Sequence, residues 1–132
     1  MANVNIEALN AEDGVAQFRV FIEDTYYVDH VWVDWETSSG YATLRYIDHI
    51  IVNFPPAIPG IHYTKCTGQA VFLNNVMEAT VSIPLIGNSA DRDLQFAVIL
   101  TGSNIDIGIN TAYFIMPPNR YVQRGDQYAD RL

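Results

Sequence analysis

The chain is short of three things: it has one cysteine, a single lysine (Lys65) and no apolar run of bilayer length. One cysteine, Cys66, excludes an internal disulfide framework and any cysteine-rich zinc site. Without about 20 consecutive apolar residues there is no candidate membrane-crossing helix. Basic charge is scarce too: seven basic residues face fifteen acidic ones, for a net charge of -8. Phosphate contact needs a basic face, so nucleic acid is not an expected partner. Met1 to Asn10 has no basic segment leading into an apolar one. The expectation is a chain made and folded in a cytoplasm. No stretch keeps apolar residues three and four apart between caps, which excludes long helices. Gly-x-Ser-x-Gly elbows, phosphate loops and dinucleotide fingerprints are absent, so neither a catalytic residue nor a cofactor is expected.

What is present is a period of two. Val4, Ile6 and Ala8 alternate with polar neighbours; Phe18, Val20 and Ile22 alternate with Gln17 and Arg19, with Phe21 the exception. Val31, Val33 and Trp35 repeat the pattern, then Val81 and Ile83, Phe96, Val98 and Leu100, and finally Tyr113 and Ile115. Such alternation in branched and aromatic residues marks half-buried strands. Glu12-Asp13-Gly14, Ser38-Ser39-Gly40, Asn74-Asn75 and Thr101-Gly102-Ser103-Asn104 punctuate them as turns. Seven or more short strands in one domain-sized chain of 132 residues read as an all-β, antiparallel sandwich. Its expected core is Phe18, Val20, Val33, Trp35, Phe72, Val81, Ile83, Phe96, Val98 and Ile115. The sandwich is expected over residues 1–116. Residues 41–60, ending in Pro55-Pro56 and Pro59-Gly60, form an insertion, and 117–132 an extended C-terminal arm.

Three segments resemble the Calx-beta domain, an immunoglobulin-like sandwich. Val31 to Thr37 with Ser-Ser-Gly-Tyr-Ala42 is similar to its valine strand and following turn. Gly60-Ile-His-Tyr63, then Thr67 to Phe72, resembles its Gly-x-Asp-Tyr element and the strand after it. Glu78 to Ile86 and Phe96 to Thr101 resemble its Ile-rich and Phe-rich strands. The resemblance covers about residues 5 to 115 and implies an immunoglobulin-like fold. It also implies where calcium ligands would lie, and there this chain departs. Asn88 and Leu94 stand where the family often has acids, His62 replaces the Asp before Tyr63, and Met116-Pro117-Pro118 replaces an acidic end. Calcium needs six to eight converging oxygens. The remaining candidates are Glu12, Asp13, Asp91 and Asp93, with Glu23, Asp24 and Asp29 in another loop. No high-affinity site is expected from so few.

His30, His49 and His62 lack metal-ligand spacing, and Cys66 has only Lys65 beside it to lower its pKa. Arg124-Gly125-Asp126 is an isolated tripeptide. Trp32 lies on the strand face opposite Val31 and Val33, and with Tyr27 is a candidate for contact with protein or carbohydrate. The arm carries +1 against -9 on the body. Tyr121, Arg120, Arg124 and Arg131 are its candidate contacts with a neighbouring subunit. The functional expectation is a non-enzymatic phage virion protein, a capsid decoration or cement protein on the shell exterior. Its expected partners are the major capsid protein and further copies of itself, with no membrane. The alternatives are a calcium-responsive adhesion module and a carbohydrate-binding or hydrolytic sandwich in a phage tail.

Overall fold

The computed structural model describes residues 2–23, 30–39, 43–47, 50–73, 76–90 and 92–118; over 43–47 and 50–53 it describes the backbone alone. Ten strands follow in chain order among them: β1 Asn3–Glu12, β2 Val15–Glu23, β3 His30–Ser38, β4 Thr43–Ile47, β5 Ile50–Phe54, β6 Thr67–Leu73, β7 Glu78–Pro84, β8 Leu94–Ser103, β9 Asp106–Ile107 and β10 Thr111–Met116. One sheet has the order β7-β2-β1-β9 and the other β10-β8-β3-β6, while β4 and β5 form a separate hairpin. Pairing is antiparallel throughout the two main sheets except where β9 joins β1 in parallel. The architecture is the antiparallel sandwich that the alternation implied, with the immunoglobulin-like form that the resemblance implied.

The inner faces meet over an aromatic centre. Phe18 of β2 packs edge-on to Phe96 of β8, with ring centroids 6.1 Å apart, and Phe114 of β10 lies 5.6 Å from Phe96. Tyr63, from the loop before β6, stacks flat on Phe96 at 4.3 Å. Val4, Ile6, Val20, Val31, Val33, Phe72, Val81, Ile83 and Val98 are buried around them. Burying each large side chain contributes roughly 1.5–3 kcal/mol.

Two residues of the expected core differ, Ile115 and Trp35, and the β1 alternation ends before Ala8. Ile115 is half-buried and faces outward, while Ala112, Phe114 and Met116 point inward. Register decides this, because Phe114 pairs with Phe96 and shares its face. Ala8 is exposed: the β1–β2 register shifts between Ala8 and Ala11, and the end of β1 leaves the core. Trp35 is only partly buried, at the rim, beside the irregularity between Asp34 and Trp35 in the pairing with β8.

The insertion has an anchored end. Beyond Ser38, β3 no longer pairs with β8. Pro55 to Ala57 takes its place: the Gln95 N–H donates to the Pro55 carbonyl at 2.9 Å, and the Ala57 N–H donates to Gln95 at 2.7 Å. Phe54 and Ala57 are buried there. Pro117-Pro118 follows β10 without extending it, since neither can donate to a ladder. The arm beyond, 119–132, lies outside the described residues.

Candidate functional site

The first region is the end of the sandwich holding the β1–β2 turn and the β7–β8 loop. Asp13 and Gly14 both have positive φ, 55° and 76°. Joining Glu12 to Val15, they make the two-residue hairpin turn that Asp-Gly favours. Glu12, Asp13 and Asp93 are exposed at this end. Between the turn and the end of β10 opens a cleft of about 240 Å³, whose walls include Ala11, Leu85, Ile86, Phe114, Met116 and Pro117. Its surface is apolar, and Leu94 beside it is buried. Glu23 stands at the opposite end, where its carboxylate accepts from the Asn5 amide at 2.9 Å. Asp24, Asp29 and Asp91 lie outside the described residues. Among the described residues no three His, Cys, Asp or Glu side chains come together as a metal-holding group.

Asn88 does what a sequence reading misses. It is fully buried. Its amide nitrogen donates to the carbonyls of Arg92 and Met116 at 3.0 and 2.9 Å, and its oxygen accepts from the Ala90 N–H at 2.9 Å. A neutral side chain thus organises the loop and ties it to β10. The family resemblance marked the position only as a missing acid, and the Met116 carbonyl that it holds is 28 residues along the chain.

The second region is the outer face of the β10-β8-β3-β6 sheet. Trp32 points there, half-buried, directly across from Val71 of β6. Leu73, across from His30, extends the apolar patch, and Val71 and Leu73 are 46% and 49% exposed. The backbone under Trp32 is fixed. Its N–H donates to Asn104 Oδ1 at 3.0 Å, and its carbonyl accepts from the Ser103 hydroxyl at 2.8 Å. Asp34 and Gln69, bonded at 2.9 Å, form the polar border. Tyr27, Tyr121, Arg120, Arg124 and Arg131, the other candidate contacts, lie outside the described residues.

Cys66 sits on a shallow cleft with Glu36, Thr37, Lys65 and Thr67. Its N–H donates to Thr37 Oγ1, and its thiol donates to the Thr64 carbonyl. Burial pushes the thiol up from its ordinary value, so Lys65 does not activate it. Tyr63 is likewise raised, by burial first and then by the nearby Cys66. The His62 ring accepts from the Ile58 N–H at 2.8 Å and closes a turn, His30 sits at the start of β3, and His49 is outside the described residues.

No family model matches the chain, and no curated protein matches it. Solved structures do. The apo-form Calx CBD1 domain is 15% identical, with a TM-score of 0.65 over 89% of this chain and 96% of that one. The fold is that of a Calx-beta domain. The Calx CBD2 domain agrees, at 14% identity and a TM-score of 0.65 over 92% and 90% of the two chains. The structure of CBD12 from CALX1.2 is matched over 89% of this chain and 45% of its own length, at 15% identity and a TM-score of 0.65. Within this Calx-beta fold, the β4–β5 hairpin lies outside both main sheets.

Proposed function

We propose that this chain is a non-enzymatic docking module that bridges protein subunits, and specifically that it decorates the exterior of a phage capsid. The observation that carries the docking reading is the Trp32–Val71–Leu73 patch on a rigid outer sheet face. An aromatic anchor bordered by aliphatic and hydrogen-bonded polar groups is the composition of a protein-binding hot spot. An acidic body with a mildly basic arm suits repeated contacts between copies on a symmetric shell, where avidity multiplies weak individual contacts. The partners in this reading are the major capsid protein and other copies of this chain.

The test has two stages. A major capsid gene beside this one identifies the shell. The purified chain is then sedimented with those shells. Binding that falls about tenfold or more in Trp32→Ala supports the reading. Absence of co-sedimentation by the parent chain removes it.

A second reading follows from the fold. One matched structure is described as the calcium binding domain CBD12 of CALX1.1, at 18% identity and a TM-score of 0.55 over 76% of this chain and 38% of that one. Glu12, Asp13 and Asp93 stand at one end of the sandwich here. A calcium-dependent rise in melting temperature would favour that reading, and binding to a glycan array through Trp32 would favour a carbohydrate-binding one.

A further inference from the structure

The apolar cleft beside the β1–β2 turn is built around the point where the chain leaves the sandwich. Phe114 and Met116 are the buried part of its lining. Ala11, Gly14, Ile86 and Pro117 are exposed along it, so the cleft opens to water. The exit is fixed. Asn88 holds the Met116 carbonyl at 2.9 Å, Pro117 is itself a wall of the cleft, and Pro118 after it is buried. The backbone therefore still lies on the domain where the described residues stop.

The next residues carry what this cleft would take. The first apolar side chains after Pro118 are Tyr121 and Val122. Three residues span at most about 11 Å, so Tyr121 is within reach of a cleft that begins at Pro117. A cavity of about 150 Å³ with aliphatic and aromatic walls takes up benzene. This cleft, at about 240 Å³, has space for a phenol ring. Tyrosine suits a recess open to water, because its ring is apolar and its hydroxyl stays wet. Charge points the same way. Arg120 and Arg124 bracket Tyr121-Val122. Glu12, Asp13 and Asp93 are exposed at this end of the body, with Arg92 offsetting one of them.

We infer that the cleft is the seat of the chain's own C-terminal arm, with the Tyr121 ring inserted between Ile86 and Met116. The arm of the same chain is the occupant because it is tethered at the wall. A tethered segment meets its site at an effective concentration of about the millimolar range, so the arm of a second copy competes poorly in dilute solution. Two bodies each carrying -8 also repel, whereas the arm, at +1, is drawn to its own body. The inference does not rest on the docking reading. Trp32 lies beside Ser103, at the far end of β8 from Leu94 and the cleft. It describes the free chain, before any partner competes for the arm.

Nuclear magnetic resonance of the full chain with methyl-labelled methionine tests it. Met1, Met77 and Met116 give three signals, and Met116→Leu identifies the last. The expected result is a nuclear Overhauser contact between the Met116 methyl and a tyrosine ring of the arm, the same at every dilution. Tyr121→Ala should abolish the contact and shift the Met116 signal, with an unchanged far-ultraviolet spectrum. Tyr128→Ala and Trp32→Ala should leave both in place. Ile86→Lys puts a charge on an exposed wall and should also abolish the contact. A Met116 signal indifferent to Tyr121→Ala overturns the inference. So does a contact that follows Tyr128 instead, or one that fades on dilution, which would assign the ring to a second copy.

Discussion

The Asn88 side chain donates to the Met116 carbonyl across 2.9 Å and fastens the β7–β8 loop to the last strand. Asn88→Ala leaves that carbonyl and the Ala90 N–H short of a partner in a buried place. The expected loss is about 1–3 kcal/mol, read as a lower midpoint in urea denaturation with an unchanged slope. Asn88→Asp should cost at least as much, because a carboxylate has no hydrogen to offer two carbonyls.

Gly68 lies under the Trp35 ring. A Cβ added there would stand 2.6 Å from Trp35 Cζ2 and 2.9 Å from Cε2, so the ring would have to move. Gly68→Ala should destabilise by about 1–3 kcal/mol, as overpacking does. In a Trp35→Leu background the same change should cost much less. A double-mutant cycle by thermal melting measures the difference, and a coupling near zero would place the ring elsewhere.

Alkaline pH should weaken the fold through two groups. Cys66 and Tyr63 are both raised by burial, so the native state holds their protons more tightly than the unfolded chain does. A raised native pKa gives stability that is complete below the unfolded value. It is lost as pH climbs through the native one. The decline should therefore start near the ordinary thiol range, about pH 8.5, and continue through the tyrosine range. Melting temperatures across that interval check it, and Tyr63→Phe should flatten the upper part. Thiol-reactive dyes should label native Cys66 more slowly than the unfolded chain at the same pH.

Calcium should leave the melting temperature where chelator leaves it. The cleft beside the β1–β2 turn is walled by Leu85, Ile86 and Met116, and hard cations need a shell of oxygens. A clear calcium-dependent rise would shift the balance to the second reading above.

Much of the fold was legible because most strands carry apolar residues on one face only. Phe18, Val20 and Ile22 alternate with Gln17, Arg19 and the outward Phe21, and they are buried as the alternation requires. Tyr113 to Met116 has an apolar residue at every position, so a period of two has no phase there; pairing with Phe96 supplies it. The site was less legible. Trp32 could be assigned to the outer face from its own strand. Val71 and Leu73 join it through the register of β6 on β3, set by strands far apart in sequence. Asn88 was opaque for the same reason, since its worth depends on a carbonyl 28 residues away.

The pairing of β3 with β8 also sets a clock. Ser38 meets Ala97 and Val33 meets Ser103, so the central ladder of the sandwich joins segments with most of the domain between them. Closing so long a loop consumes chain entropy before any contact repays it, which puts folding in the range of about milliseconds to seconds. On a ribosome adding about 5–20 residues per second, β3 and β6 emerge well before β8. The β8-facing edge of β3 and the uncharged strand β6 wait in the open for that interval. The chain is therefore most vulnerable to clumping with its sisters at birth, and slower synthesis or crowded expression should lower its soluble yield before any change in the finished fold can be seen.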